Sequence, residues 1–141
     1  MRRETLHLPL AFIGDVAPDR LAELGDIAGS ISLPIFDQPF DRLQCLPRKK
    51  ICWAAAGAIS PVLRDLAAAL HDRLKAAGFR TEERPFAAHV TLLRHARCEK
   101  MPEGDSLSIV WSVCDFVLVE SDLKPEGAGY RILQRWVLGQ T

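Results

Sequence analysis

Alternation of apolar and polar residues predicts most of the strands in this chain. Residues 5–13, TLHLPLAFI, place four large apolar side chains on one face of a strand and His7 with Pro9 on the other. Comparable apolar runs predict further strands at 49–56, 87–94, 108–119 and 130–138, and one or two short extended pieces at about 31–36 and 40–46. The last two runs are separated by the turn-forming stretch ESDLKPEGAG, so we expect them to pair as a hairpin.

Two segments have the apolar spacing of amphipathic helices. The clearer one, over 61–77, is expected to have Ser60 as its cap and Pro61 at its first position, and to end before Gly78. A shorter one begins near Pro18 and continues to Gly29. The resulting order, β-α-β-β-α-β-β-β, favours an α+β protein with mainly antiparallel sheet over a doubly wound parallel one.

The composition is that of a small globular protein. The chain has 141 residues, of which 48% are hydrophobic and 26% charged, and we expect one domain over residues 1–141. Its formal net charge is zero, whereas non-specific nucleic-acid binding requires a basic excess, so any such contact should be local. The basic run at 48–50, RKK, is either a solvated turn or a contact to an RNA backbone.

The chain shows no sign of secretion or of membrane insertion. No apolar run approaches the ~20 residues of a membrane span, and the first apolar run lacks a signal-peptide cleavage site. We therefore expect a cytoplasmic protein that does not bind membranes. The four cysteines fit neither a C-x-x-C pair nor a zinc site, so we expect them to be reduced and partly buried.

Two apolar strands carry a histidine in matching surroundings, LHLPLAF near the start and AHVTLLR in the second half. Residues two apart share a strand face, so His89 and Thr91 stand side by side, as do His7 and Pro9. An imidazole transfers protons near neutral pH, and a hydroxyl can donate to a phosphate oxygen. Two imidazoles across a cleft could therefore cleave a phosphodiester by general acid–base catalysis. In each strand the alternative is a structural histidine with a satisfied hydrogen bond.

These strings resemble the bacterial and archaeal RNA 2′,3′-cyclic phosphodiesterase family, also named 2′-5′ RNA ligase, among the two-histidine (2H) phosphoesterases. TLHLPLAFIGDV is similar to the first signature of the family and RPFAAHVTLLR to the second. FVLVESDLKPEGAGYRILQRW is similar to the C-terminal hairpin, so the resemblance covers most of the chain. It implies a bilobal, pseudo-two-fold α+β fold, with antiparallel sheets lining a central cleft and one histidine motif from each lobe.

The resemblance also implies the roles of individual residues. His7 and His89 would be the catalytic pair, with His89 preferred as general base and His7 as general acid. Thr91 and Arg94 would bind the phosphate, and Phe12 matches an aromatic residue that can stack on a base. For Phe12 a place in the core is the alternative, because alternation puts it opposite the histidine.

The implied reaction is hydrolysis of RNA 2′,3′-cyclic phosphate ends, or of small 2′,3′-cyclic nucleotides, to 2′-phosphates. No metal and no cofactor is expected, and a weak 2′-5′ RNA ligase activity is implied in reverse. The expected partners are RNA 3′ ends or small cyclic nucleotides, with the protein a monomer. The competing functions are a degenerate, non-catalytic module that binds RNA ends or nucleotides, and an unstable fragment without activity.

The chain departs from the family pattern in two places. Pro9 occupies the Thr/Ser position of the first motif, and losing one hydrogen bond to a charged group costs about 1.5–3 kcal/mol. Family members usually have a strand and a helix before the first motif, so the first lobe is expected to be truncated. Either the native chain starts upstream of Met1, or another segment or subunit covers the edge. We expect Trp53, Trp111 and Trp136 to be in the core, while Tyr130 could line the cleft.

Overall fold

A computed structural model describes residues 5–82, 85–100, 107–124 and 127–139. In chain order the α-helices and strands are α1 (Leu21–Gly29), β1 (Phe36–Phe40), β2 (Arg42–Leu46), β3 (Ile51–Ala55), α2 (Pro61–Ala76), β4 (His89–Arg94), β5 (Ile109–Val113), β6 (Asp115–Lys124) and β7 (Gly127–Val137). The strands form three antiparallel sheets: β1 pairs with β5, β3 pairs with both β2 and β4, and β6 pairs with β7.

Helix α2 lies where its apolar spacing predicts it, and Gly78 follows its end with φ of +83°. Ser60 is the N-cap residue, as predicted, and its carbonyl accepts from the N–H of Arg64 (3.0 Å), but its hydroxyl makes no capping hydrogen bond. Instead the backbone N–H of Ser60 donates to Oε1 of Gln38 (2.8 Å), whose fully buried side chain also donates to the carbonyl of Ala58 (3.0 Å). The start of α2 is therefore fixed by a residue of β1.

One apolar core lies between the helices and the sheets. The leucines of α2 pack with Leu24 of α1 and Phe116 of β6. Helix α1 also lies close to β7, because a Cβ atom on Gly25 would be only 2.7 Å from Oε1 of Gln134. The core residues are Leu24, Ala28, Phe36, Leu63, Leu66, Leu70, Leu74, Phe79, Ala88, Phe116 and Leu138.

The C-terminal hairpin is confirmed, with β6 and β7 paired from Asp115 opposite Val137 to Lys124 opposite Gly127. The single strand predicted over 108–119 is instead two strands, β5 and β6, which are separated by Cys114. They belong to different sheets, so the chain has to change partners at that residue.

The predicted strand over residues 5–13 is not a strand in the structure, because no ladder pairing involves it within the described residues. Pro9 lacks the N–H that a ladder would use at that position. The segment is held instead by side chains, because Leu8, Leu10 and Ile13 pack against the core. We refer to residues 5–16 as the His7 segment.

The expectation that all cysteines are reduced is wrong, because Cys45 on β2 and Cys98 form a disulfide with their Cα atoms 5.4 Å apart. Cys52 is free and buried, and burial raises the pKa of its thiol, whereas the free Cys114 is exposed. Within the described residues no helix has the length and apolar character needed to span a membrane. The cytoplasmic location, the monomeric state and the single domain over 1–141 stay predictions.

The expectation that all three tryptophans are in the core holds only for Trp136. That residue packs against the core and stacks on Phe116, with ring centroids 5.3 Å apart. Trp111 on β5 is 41% exposed, since the two-stranded β1–β5 sheet leaves its ring partly uncovered. Trp53 is half-buried and lies against a histidine, as described below.

Candidate active site

His89 is the first residue of β4 and lies against Trp53 of the neighbouring strand β3, with ring centroids 4.3 Å apart. Its Nδ1 is 3.1 Å from the carbonyl oxygen of Ala87. A carbonyl oxygen only accepts hydrogen bonds, so Nδ1 carries the hydrogen in this contact. In the neutral ring Nε2 is then the unprotonated nitrogen and can accept a proton.

His7 is held by the same kind of contact, although its segment is not part of a sheet. Its Nδ1 donates to the carbonyl oxygen of Thr5 (2.7 Å), again two residues earlier in the chain. Its ring lies 5.1 Å from the ring of Tyr130 on β7, tilted by 60°. Both histidines therefore share a backbone acceptor at the i−2 position and an aromatic neighbour from another element.

The structure brings the two imidazoles into one electrostatic environment. The pKa of His89 is below its ordinary value of 6.5, mainly because partial burial disfavours the charged ring. The hydrogen bond to Ala87 opposes this shift, while the positive charges of His7 and then of Lys49 add to it. Near neutral pH His89 is therefore mainly uncharged, which is the form that a general base requires.

Arg94 lies on the same face of β4 as His89 because the strand contains a bulge. In strict alternation, a residue five positions beyond His89 would lie on the opposite face. Thr91 pairs with Trp53, but Leu93 pairs with Cys52, so β4 contains one extra residue at a bulge. Beyond the bulge Arg94 pairs with Ile51, which is on the same face of β3 as Trp53. The bulge therefore places Arg94 on the face that carries His89 and Thr91.

Phe12 is 57% exposed, so the alternative of a place in the core is wrong for this residue. In the His7 segment, Leu10 and Ile13 pack against the core, whereas the side chain of Phe12 lies at the surface. Pro9 is half-buried two residues after His7 and offers neither a hydroxyl nor an N–H. Arg84, in the RPF sequence before the second motif, lies outside the described residues.

Trp53 is a site residue that reasoning from the sequence missed. Along β3 the even positions Cys52 and Ala54 are buried, so Trp53 lies on the face that adjoins β4 at His89 and Thr91. Its indole N–H donates to Oε1 of Gln44 (2.8 Å), which fixes the orientation of the ring. Only the pairing of β3 with β4 identifies this contact, since the local pattern of ICWAAA is equally typical of a core strand.

Within the described ranges, no group of three or more histidine, cysteine, aspartate or glutamate side chains could hold a metal ion. The candidate site residues are two imidazoles that bind the backbone through Nδ1, a hydroxyl and a guanidinium on one sheet face, and an exposed phenyl ring. This set can transfer two protons and bind one small anion.

The chain is similar to known proteins over nearly its whole length, although no family model matches it. The RNA 2′,3′-cyclic phosphodiesterase of Escherichia coli (strain K12) is 30% identical over 137 residues, which are 97% of this chain and 78% of that protein. The protein of the same name from Archaeoglobus fulgidus is 29% identical over 142 aligned positions, an alignment that covers 93% of this chain and 78% of that one.

Solved structures have the same fold. The crystal structure of E. coli LigT complexed with 3′-AMP matches with a TM-score of 0.85 at 30% identity, over 97% of this chain and 79% of that one. A structure of LigT complexed with phosphate matches with a TM-score of 0.80 at 28% identity, over 99% of this chain and 79% of that one. The α+β fold class predicted from the sequence is confirmed.

Proposed function

Because the chain belongs to the RNA 2′,3′-cyclic phosphodiesterase family of the 2H phosphoesterases, we propose that it hydrolyses 2′,3′-cyclic phosphates to 2′-phosphates. The family and the class of enzyme, a phosphoesterase, were predicted from the two histidine motifs and are confirmed by the relatives. The proposed substrates are RNA 3′ ends or small 2′,3′-cyclic nucleotides. The observation that carries the proposal is the matching geometry of two imidazoles, each held through Nδ1 by the carbonyl two residues earlier, with His7 near enough for its charge to contribute to the lowered pKa of His89.

In the proposed mechanism His89 is the general base. Its neutral Nε2 takes a proton from a water molecule as the water oxygen attacks the cyclic phosphorus. The bond from phosphorus to the ribose 3′ oxygen breaks, and protonated His7 gives its Nε2 proton to that oxygen. The products are a 2′-phosphate and a 3′-hydroxyl, with one proton gained by His89 and one lost by His7. The lowered pKa of His89 supports this assignment over the reverse one.

The phosphate is proposed to bind on the His89 side of the site. Arg94 supplies a charge-assisted donor to a non-bridging oxygen, and the Thr91 hydroxyl supplies a second. Phe12, which is exposed on the His7 segment, offers a surface on which the base can stack. These groups supply acid, base and charge compensation, so the mechanism requires no metal ion. If an RNA 5′-hydroxyl replaces the water, the same steps form a 2′-5′ bond, which is the proposed weak ligase activity.

Hydrolysis of a 2′,3′-cyclic mononucleotide in the presence of EDTA tests the proposal. We expect turnover to a 2′-phosphate, and a rate about 10²–10⁴ times lower in His89→Ala and in His7→Ala. His71→Gln, on helix α2, is the control and should keep the wild-type rate. An unchanged rate in His89→Ala, or a wild-type activity that EDTA abolishes, would contradict the proposed chemistry.

A non-catalytic module that binds RNA ends is the second candidate, and Pro9 is the observation that favours it. This residue removes a hydroxyl from the side of the site that, in the described part of the chain, lacks a paired strand. A binding module would bind a 2′-nucleotide with measurable affinity and show negligible turnover of the cyclic form. Turnover that depends on both histidines would exclude it.

A further inference from the structure

We propose that a basic surface beside the active site binds the phosphate backbone of the nucleotides that precede the cyclic end of an RNA substrate. This β2–β4 basic surface consists of Arg48, Lys49, Lys50, Arg97 and Lys100. The proposal rests on the proposed function, because it concerns the upstream part of the same substrate. It predicts that the protein prefers an RNA end over a mononucleotide.

Backbone hydrogen bonds bring the two halves of this surface together. The turn between β2 and β3 is closed by a bond from the N–H of Lys50 to the carbonyl of Leu46 (2.8 Å). The carbonyl of Lys50 in turn accepts from the N–H of Ala96 (2.8 Å). The basic run at 48–50 therefore adjoins the segment that follows β4 and contains Arg97.

The disulfide joins the same two segments covalently. Cys45 lies on β2 three residues before Arg48, and Cys98 lies between Arg97 and Lys100. The disulfide therefore adds to the Lys50–Ala96 hydrogen bond and the pairing of β3 with β4, which hold the two positively charged segments side by side. Together these constraints keep like charges close to each other, which is an arrangement that suits the binding of an anion.

The backbone is also strained where the two segments meet. Lys50 has φ of +53° and His95 has φ of +58°, and these are the two residues other than glycine with positive φ in the described chain. Side chains with a Cβ atom adopt this region only at an energetic cost. Such strain is typical of functional surfaces, and here both strained residues flank the bond between Lys50 and Ala96.

The five basic side chains of this surface form no ion pairs within the described part of the protein, and Glu99 is the acidic residue of the segment 97–100. All five side chains are exposed, and within the described residues none of them forms a side-chain hydrogen bond. Elsewhere basic residues pair with acids, as Arg20 does with Glu23 (3.1 Å) and Arg131 with Glu120 (3.1 Å). Because the whole chain has zero net charge, this excess is local and fits a polyanion.

The surface continues from the active site. Lys49 is close enough to His89 for its charge to lower the pKa of that ring. Arg94, proposed to bind the cyclic phosphate, pairs with Ile51 directly after the basic run. A strand of RNA with its end between the histidines could therefore continue over the lysines and arginines, with successive phosphates against the basic side chains.

The test measures wild type and one triple variant on two substrates. The variant combines Arg48→Gln, Arg97→Gln and Lys100→Gln. Lys49 is left in place because its charge acts on His89. The substrates are a 2′,3′-cyclic mononucleotide and a single-stranded RNA of about ten nucleotides that ends in a 2′,3′-cyclic phosphate. We expect the variant to keep the wild-type kcat/KM for the mononucleotide, and to lose about tenfold to a hundredfold in kcat/KM for the RNA at 0.1 M salt.

Salt dependence adds a second measure of binding to the RNA backbone. The slope of log(kcat/KM) against log[salt] for the RNA should become shallower by about 0.7 for each phosphate that the variant no longer neutralises, or about 2 in the triple variant. The control is Arg64→Gln combined with Arg73→Gln and Lys75→Gln, which removes the same charge from helix α2. This control variant should keep the wild-type kcat/KM for both substrates and the wild-type salt slope.

The results separate this proposal from the proposed function. If wild type turns over neither substrate, the proposed function fails. If wild type is active but the triple variant loses the same factor on both substrates, or loses nothing on the RNA, the basic surface does not bind the RNA backbone. An equal loss on RNA in the α2 control would overturn the proposal too, because net charge alone would then explain it. Turnover of the mononucleotide shows that each variant is folded.

Discussion

The two histidines occupy matching chemical surroundings on very different supports. His89 begins a strand of a three-stranded sheet, and a disulfide joins the segment after that strand to β2. His7 lies on an extended segment without ladder pairing in the described chain, held by apolar side chains against the core. Both rings nevertheless donate from Nδ1 to a carbonyl two residues earlier and contact an aromatic ring.

The orientation of each imidazole depends only on the local chain, whereas the placement of Arg94 depends on the sheet. The i−2 carbonyl contact needs only an extended chain, so both segments provide it. The bulge that turns Arg94 toward the site needs two paired strands, and in the described chain the His89 side has them. We therefore predict that the phosphate donors lie on one side of the site and that the other side supplies mainly a proton.

Of the three predictions that follow from this comparison, loss of the disulfide should have the largest energetic effect. The bond supports only the His89 side of the site. It closes a loop with a sequence separation of 53, so we expect Cys98→Ser to lower the free energy of unfolding by about 2–4 kcal/mol. Urea denaturation of wild type and variant under oxidising conditions measures this difference. Cys114→Ser, which removes an exposed free thiol, is the matched control and should change stability little. Equal stabilities of wild type and Cys98→Ser would show that the bond does not anchor this side.

Removing the guanidinium tests where the phosphate binds. Arg94→Gln should lower kcat/KM for a cyclic mononucleotide by about tenfold to a hundredfold, because it removes a charge-assisted hydrogen bond worth about 1.5–3 kcal/mol. Arg94→Lys keeps the charge without the planar fork and should recover part of the loss. Arg64→Gln on α2 should have no effect. A wild-type rate in Arg94→Gln would mean that the bulge does not bring this side chain to the phosphate.

Pro9→Thr tests the His7 side of the site, which is proposed to lack a phosphate donor. Its effect should be the smallest of these three. A hydroxyl beside His7 would add a third phosphate donor to those of Thr91 and Arg94, and we expect kcat/KM to rise by about tenfold, the lower end of the range for a hydrogen bond to a charged group. Pro9→Val has a similar shape without the hydroxyl, so it separates the new hydrogen bond from any change in the backbone. A flat result for Pro9→Thr, or an equal rise in both variants, would show that a missing hydroxyl at this position does not limit the enzyme.

Features set by local sequence were predicted well. Helix α2 extends over Pro61–Ala76 against a predicted 61–77, because apolar spacing, an initial proline and a following glycine are all local signals. The C-terminal hairpin was predicted for the same reason, from two apolar runs around a turn-forming stretch. The two histidine motifs are also short strings, so the family could be recognised from them.

Features that depend on pairing between distant segments could not be predicted from local pattern. Alternation over 5–13 indicates an extended chain but does not say whether a neighbouring strand pairs with it. The break at Cys114 exists because β5 and β6 have different partners, and the disulfide joins two cysteines far apart in sequence. The face of Arg94 and the contact of Trp53 with His89 both follow from the register of β3 on β4.

The pH dependence of kcat/KM in wild type and in the two histidine variants is the most direct test of the two-imidazole mechanism. A general base must be uncharged, and the pKa of His89 is lowered, so the acid limb of wild-type activity should lie below pH 6.5. In His89→Ala this acid limb should disappear from the residual activity, whereas in His7→Ala it should remain and the limb at higher pH should disappear. Loss of the same limb in both variants, or limbs unchanged in both, would contradict the mechanism.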